Sequence, residues 1–260
     1  MQLEYHISDT EHPETLLFVH GAGANADQFR NQYEFFAEYY QVVSISLPGH
    51  GNSPKPVKNI TEQYALELLA DDVLEFINDR KLKNIHYIGN SAGGVLGYIV
   101  VTKSPGLFLS LTTFGTTGQL NLPKFVAPLV RGLDSFMLRF FQKKYLKFVA
   151  NYTGLNDDSR QMVYQMFLKA TGAIPHIRYH LARYNYLEYI ANLPVRYTLI
   201  QCEHDKDINK ALKTTLEAMA VNPTAKLVTL PEAGHLANLD NPGAFNELLL
   251  SVLKSGVDGT

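Results

Sequence analysis

The stretch Ile85-His86-Tyr87-Ile88-Gly89-Asn90-Ser91-Ala92-Gly93-Gly94 constrains this chain more than any other. Its first half is β-prone and its second half, through Gly97, is the small-residue start of a helix. Between them Gly89-Asn90-Ser91-Ala92-Gly93 matches G-x-S-x-G. A serine hydroxyl is a poor nucleophile unless it is held exposed, beside a base and near donors for an oxyanion. A sharp strand-to-helix turn achieves this by lifting the side chain above the sheet edge. Such a turn forces strained backbone into close quarters, which is why glycine is needed on both sides. Ala92 then opens the helix with its N–H aimed at the reacting carbonyl. The pattern alone is weak; a strand before it and a helix after it make it strong.

The rest of the chain alternates in the same rhythm. Strand-like runs fall at Leu3–Ser8, Leu16–Val19, Val42–Leu47 and Leu109–Phe114, with helical spacing over Asp27–Tyr39 and Tyr64–Arg80. Such alternation predicts a mainly parallel sheet covered on both faces, with right-handed crossovers. From 119 to 191 the pattern turns wholly helical, with segments around Met162–Ala170 and Ile177–Ile190. The β/α rhythm resumes at Val195–Ile200, followed by a helix near 210–220, a strand at Lys226–Leu230 and a last helix over Pro242–Lys254 beside a cap at Asn241. The division is a core of 1–118 and 192–260 and an inserted helical cap of 119–191.

Length and composition close off other classes. A chain of 260 residues, 46% hydrophobic and 18% charged, is globular and large enough for one α/β domain with an insertion. A net charge of −2 gives no case for nucleic acid, and a lone Cys202 excludes a disulfide framework or a cysteine-rich metal site. No run is long enough to span a bilayer, and the first residues lack a signal-peptide pattern, so the expectation is a cytoplasmic protein. The sequons at Asn59 and Asn151 would matter only after secretion. Charge is divided unevenly: residues 119–191 hold ten Lys and Arg against four Asp and Glu. That hints at an anionic or membrane-surface substrate and at weak membrane-surface contact through the basic, Phe-rich cap, although lysines solvating surface helices account for the charge more simply. No dinucleotide fingerprint or phosphate loop occurs, and His50, His204 and His235 lack metal-ligand spacing, so neither cofactor nor metal is expected.

On these motifs the chain resembles the α/β-hydrolase superfamily, in particular its capped, serine-esterase-like members, which include carboxylesterases, enol-lactonases and carbon–carbon hydrolases. The resemblance covers the first half of the core and the C-terminal quarter. It implies an α/β-hydrolase fold and a triad in the chain order serine, acid, histidine. The nucleophile is then Ser91. Cys202-Glu203-His204-Asp205-Lys206-Asp207 resembles the family's acid turn and puts the carboxylate at Asp205, with Asp207 as the alternative. Cys202 stands where glycine is usual, and Asn209 where proline is frequent. Ala233-Gly234-His235, followed by Pro242, resembles the histidine motif and makes His235 the base. His20-Gly21-Ala22-Gly23 resembles the H-G-x-G loop, so the second oxyanion donor beside Ala92 is Ala22, or alternatively Gly23; His20 itself would brace loops.

The implied activity is cofactor-free hydrolysis of a small-to-medium ester or thioester. Two alternatives stay open: hydrolysis of a carbon–carbon bond in a β-diketone-type substrate, and a ligand receptor with little turnover. For the pocket, Phe136, Met137, Phe140, Phe141, Tyr145 and Phe148 either line it or, for most of them, join the cap to the core. One or two of Tyr179, Tyr184, Tyr186 and Tyr189 would face the ligand. Oligomeric state is not legible.

Overall fold

A computed structural model of the protein describes residues 2–10, 12–56 and 60–255; the sequon at Asn59 lies outside them, whereas Asn151 is exposed. The chain opens with β1 (Tyr5–Ile7), β2 (Thr15–Val19), α1 (Arg30–Phe36), β3 (Gln41–Ile45), α2 (Leu66–Asp79), β4 (Ile85–Asn90), α3 (Ala92–Lys103) and β5 (Phe108–Phe114). An inserted segment follows, made of β6 (Gln119–Asn121), α4 (Val126–Phe140), α5 (Gln142–Thr153), α6 (Asp157–Leu168), α7 (Ile174–Leu181), β7 (Arg183–Asn185) and α8 (Leu187–Ala191). The remainder is β8 (Arg196–Cys202), α9 (Lys206–Ala211), α10 (Lys213–Ala220), β9 (Ala225–Leu230), α11 (Ala237–Asp240) and α12 (Pro242–Lys254). Asn241 caps α12 by accepting from the Ala244 amide at 3.3 Å.

Seven strands form one sheet in the order β1-β3-β2-β4-β5-β8-β9. All neighbours are parallel except β1, which runs antiparallel to β3. This is the α/β-hydrolase fold, with a single strand ahead of β2 among the described residues. The sheet is buried on both faces, so its strands read as continuous apolar runs. In β2, Leu17 and Val19 point into one core with the inner faces of α2 and α3, while Leu16 and Phe18 point into the other, with Phe29, Phe36 and Phe245. On α2 the stripe Leu66, Leu69, Val73, Phe76 and Ile77 is buried, as its 3.6-residue spacing requires.

The inserted segment departs from the expected wholly helical form. Its two ends pair as an antiparallel ribbon, Gln119 opposite Asn185 and Asn121 opposite Arg183. The helix expected over Ile177–Ile190 is therefore cut into α7, β7 and α8. Three-residue strands with no buried side chain carry no periodic signal, so the ribbon was invisible in the sequence. The segment packs through Leu146, Val163, Met166 and Phe167 onto Ala24, onto Leu236 of the loop after β9 and onto Leu239 of α11. Among the described residues no helix is long and apolar enough to cross a membrane.

Backbone packs directly on backbone where β2, β4 and α3 meet. A Cβ added to Gly93 would fall 2.1 Å from the Val19 carbonyl oxygen, and one on Gly89 would fall 2.5 Å from that of Gly93. Both obstacles are backbone and cannot yield. Gly93→Ala is accordingly expected to destabilise the fold by about 3 kcal/mol or more, or to prevent folding, measured by urea denaturation.

Candidate active site

Ser91 ends β4 and begins α3 with φ 51° and ψ −115°, a left-handed-side conformation that a non-glycine residue holds only under constraint. The constraint is visible: the Ser91 amide donates to Phe114 O at 3.0 Å and the Gly93 amide to His20 O at 3.1 Å. The Ala92 amide sits at the first turn of α3, where no intrahelical acceptor exists. Gly21 passes so close that a Cβ there would lie 3.1 Å from Ser91 Cβ.

Asp205 follows β8 and His235 follows β9, and the two meet: His235 Nδ1 lies 2.8 Å from Asp205 Oδ2. A carboxylate oxygen accepts, so Nδ1 carries the proton and Nε2 keeps its lone pair. Asp205 is 7% exposed and His235 29%. Burial alone would lower the imidazole pKa, but the hydrogen bond and charge of Asp205, with Asp240 and Asp207 adding, raise it above the usual value. Ser91, Asp205 and His235 line one cavity of about 1030 Å³. No hydrogen bond joins Ser91 to His235 among the described residues; the structure brings acid and histidine together and sets the serine on the same wall.

The alternatives separate by position. Asp207 is exposed and its carboxylate accepts from the Tyr152 hydroxyl. His204 points to Glu232, 3.7 Å away. Glu203, His204 and Glu232 bring ligand atoms within 4.8 Å of one another, a grouping spacing did not reveal, yet all three are exposed, and such trios are common without an ion. Of the oxyanion candidates, Ala22 lines the cavity, whereas Gly23, at φ 91°, faces the Phe167 ring. His20 ties two loops together, its Nε2 accepting from the Leu47 amide at 2.9 Å and its Nδ1 donating to Gly21 O at 2.7 Å. Its burial, with the His50 ring beside it, holds its pKa well below the usual value.

The two departures in the acid turn have structural reasons. Asn209 donates through Nδ2 to Cys202 O at 2.9 Å, closing the turn that carries Asp205. Cys202 packs in the core at the end of β8, and burial, aided by the Asp205 charge, pushes its thiol up to about 12.

Sequence reasoning missed the supports of the histidine loop. Asn90, the variable position of G-x-S-x-G, donates to His235 O at 3.0 Å and accepts from Gln28 Nε2 at 3.0 Å. Gln28, Gln32, Asn238 and Asn246 continue this as a chain of buried amides joining α1, α11 and α12. Gly115, at φ 61°, leaves room for the loop, since a Cβ there would meet His235 O at 2.8 Å. Asp240 accepts from the Gly234 amide at 3.1 Å and the Leu155 amide at 2.9 Å, tying the loop to the inserted segment. The spacing of Gln28, in the turn before α1, and Gln32, on α1, was the only local sign. Their partners Asn238 and Asn246 lie more than 200 residues away, and Asn90 lies 62 residues from Gln28.

The expected aromatic lining is also corrected. Phe136, Phe140 and Phe141 are exposed and neither line the cavity nor reach the core. Tyr145 and Phe148 do line it, with Val130, Leu146, Phe167 and Arg178. None of Tyr179, Tyr184, Tyr186 and Tyr189 does: Tyr186, for instance, spends its hydroxyl on Glu67 at 2.6 Å. Arg178 reaches the cavity while bonded to the buried Asp134 at 2.8 Å.

Comparison with known proteins decides the family. The profile described as "Alpha/beta hydrolase family" matches residues 16–248. The chain belongs to this family. Among curated relatives it is 26% identical to the dihydrolipoyllysine-residue acetyltransferase component of the acetoin cleaving system of Cupriavidus necator, over 91% of this chain but 62% of that protein. It therefore spans less than two thirds of that relative's length. It is 22% identical to the 2-hydroxy-6-oxo-6-(2'-aminophenyl)hexa-2,4-dienoic acid hydrolase of Metapseudomonas resinovorans, over 94% of this chain and 86% of that one. A solved esterase from Thermogutta terrifontis superposes with a TM-score of 0.82 at 20% identity, covering 97% of this chain and 94% of the other. At that identity the likeness concerns the fold.

Two measurements test this α/β-hydrolase site. The His235 ring, followed by NMR, should titrate above the free imidazole value of about 6.5, and Asp205→Asn should lower its midpoint. Since the folded pKa exceeds the unfolded one, protonation of His235 stabilises the fold. That contribution is complete below about pH 6.5 and fades as pH rises through the folded value. Asn90→Ala, which strands buried partners on two loops, should cost about 1–3 kcal/mol in chemical denaturation.

Proposed function

We propose that the protein is a serine hydrolase that transfers the acyl group of a small-to-medium carboxylic ester or thioester to water. The observation that carries this reading is the 2.8 Å bond between His235 and Asp205 in the cavity that Ser91 also lines. Residues 119–191 act as a cap on the core formed by 1–118 and 192–260.

Ser91 Oγ attacks the carbonyl carbon while His235 Nε2 accepts the hydroxyl proton. Asp205 holds Nδ1–H, fixes this tautomer and supports the imidazolium. The carbonyl oxygen becomes an oxyanion between the amides of Ala92 and Ala22. As it collapses, the bond to the leaving oxygen or sulfur breaks and His235 returns the proton to it. Water then attacks the acyl-serine by the same route, giving the acid and free Ser91. The strained φ at Ser91 keeps its hydroxyl over the sheet edge throughout. A cavity of this size, lined on the segment side by Val130, Leu146, Val149 and Phe167, suits an apolar acyl chain.

The relative from Metapseudomonas resinovorans supports a second reading. Its substrate, by name, is a dienoic acid with a 6-oxo group. The same triad would then serve carbon–carbon cleavage.

Hydrolysis of p-nitrophenyl esters of graded chain length separates these readings. The ester reading expects turnover that Ser91→Ala lowers by about 10⁶-fold and Asp205→Asn by about 10⁴-fold. Activity should rise with pH through a midpoint above about 6.5, because only neutral His235 can accept the proton. Full activity in Ser91→Ala would refute the mechanism. Turnover of a diketone but of no ester would transfer the proposal to carbon–carbon substrates.

A further inference from the structure

Helix α4 carries an apolar stripe on its outer side. Phe125, which precedes the helix, and Leu129, Leu133, Phe136 and Phe140 recur at intervals of three and four, so they share one face. Each is between 52% and 68% exposed. The opposite side of α4 packs on α7, and α5 packs on α6, so the stripe has no partner among the described residues. The Phe136 ring lies tilted against those of Phe140 and Phe141, at centroid separations of 5.0 and 6.0 Å, which extends the patch to the start of α5. A contiguous exposed patch of this kind is uncommon on a soluble protein and marks an interaction surface.

The charge around it is of one sign. Lys124, Arg139, Lys143, Lys144 and Lys147 are exposed on the same two helices and their approach. The one acidic side chain between Gln119 and Asn156 is Asp134, which is 2% exposed and turned inward to Arg178 and Tyr145. Over 124–147 this outer face is therefore aromatic and cationic, and the exposed Asp207 carboxylate meets α5 only near its end, at Tyr152. Arg139 lies 5.6 Å from the Phe140 ring centroid, so a cation and an apolar ring are presented together.

We infer that the outer face of α4 and α5 docks on an anionic lipid surface. Phe and Leu side chains along one stripe enter the boundary between headgroups and acyl chains, while Lys and Arg at its margins meet anionic headgroups. A second copy of the chain is a poorer occupant. Pairing two such faces would set Arg139, Lys143 and Lys144 against their own images with no acid to answer them. The cavity reaches the same face, because Phe148 and Tyr152 on α5 are both exposed and part of its lining. If the hydrolase reading above holds, an ester dissolved in lipid would enter there.

Co-sedimentation of the full chain with phosphatidylcholine vesicles, with and without phosphatidylglycerol, tests the docking and requires no catalysis. The wild type should pellet with the anionic vesicles and be released as salt rises. Phe136→Ser with Phe140→Ser, and separately Lys143→Glu with Lys144→Glu, should each weaken partitioning by at least about tenfold. Neither pair lines the cavity, so thermal unfolding and turnover of a water-soluble short ester should match the wild type. Loss of ester turnover in every form, with vesicle binding intact, would defeat the hydrolase reading and leave the docking standing. A wild type that stays in the supernatant, or variants that bind as it does, would overturn the docking. A concentration-dependent dimer that Phe136→Ser abolishes, without vesicle binding, would assign the face to a second copy.

Discussion

The structure depends on how closely β2, β4 and the first turn of α3 approach one another. Gly89 and Gly93 have backbone atoms where any side chain would stand, and between them Ser91 is driven to φ 51°. That strain is local, and the fully buried strands on either side maintain it: Leu16, Leu17, Phe18, Tyr87 and Ile88 lock the sheet against helices on both faces. Each such side chain contributes about 1.5–3 kcal/mol from apolar burial alone, enough in sum to hold one costly dihedral. The position of the Ser91 hydroxyl and the orientation of the Ala92 amide both follow from this packing.

A second constraint couples loops distant in sequence. Asn90 sits one residue before the serine and bonds to the carbonyl of His235, and its other end enters the buried amide chain through Gln28. Buried amides left unpaired are costly, so these residues fix one arrangement of the histidine loop against the turn. Asp240 fastens the same loop to Leu155, in the link between α5 and α6 of the inserted segment. A shift in the helices above the cavity would therefore be felt at His235 through a short path of hydrogen bonds.

Much of this was legible in the sequence where the signal is local or periodic. The strand–serine–helix stretch, the buried stripe of α2 and the last helix with its Asn241 cap each follow from spacing and turn chemistry within a dozen residues. The meeting of Asp205 with His235 was reachable because each follows a strand, and parallel strands deliver their ends to one edge. What escaped was non-local or lacked a period. The amide chain unites residues from opposite ends of the chain, and the ribbon of β6 and β7 is too short to show alternation. The aromatic residues of α4 were read as buried because apolar side chains at helical spacing usually face a core. Here the spacing was right and the face was the outer one, which only three-dimensional packing decides.

The central claim is that Ser91 is the activated nucleophile of this cavity. Reaction with a fluorophosphonate, followed by intact-mass and peptide analysis, tests it without knowledge of the substrate. One adduct per chain, located on Ser91 and absent from Ser91→Ala and from His235→Ala, is the predicted result. No adduct on a folded sample, or an adduct that persists elsewhere in Ser91→Ala, would contradict it.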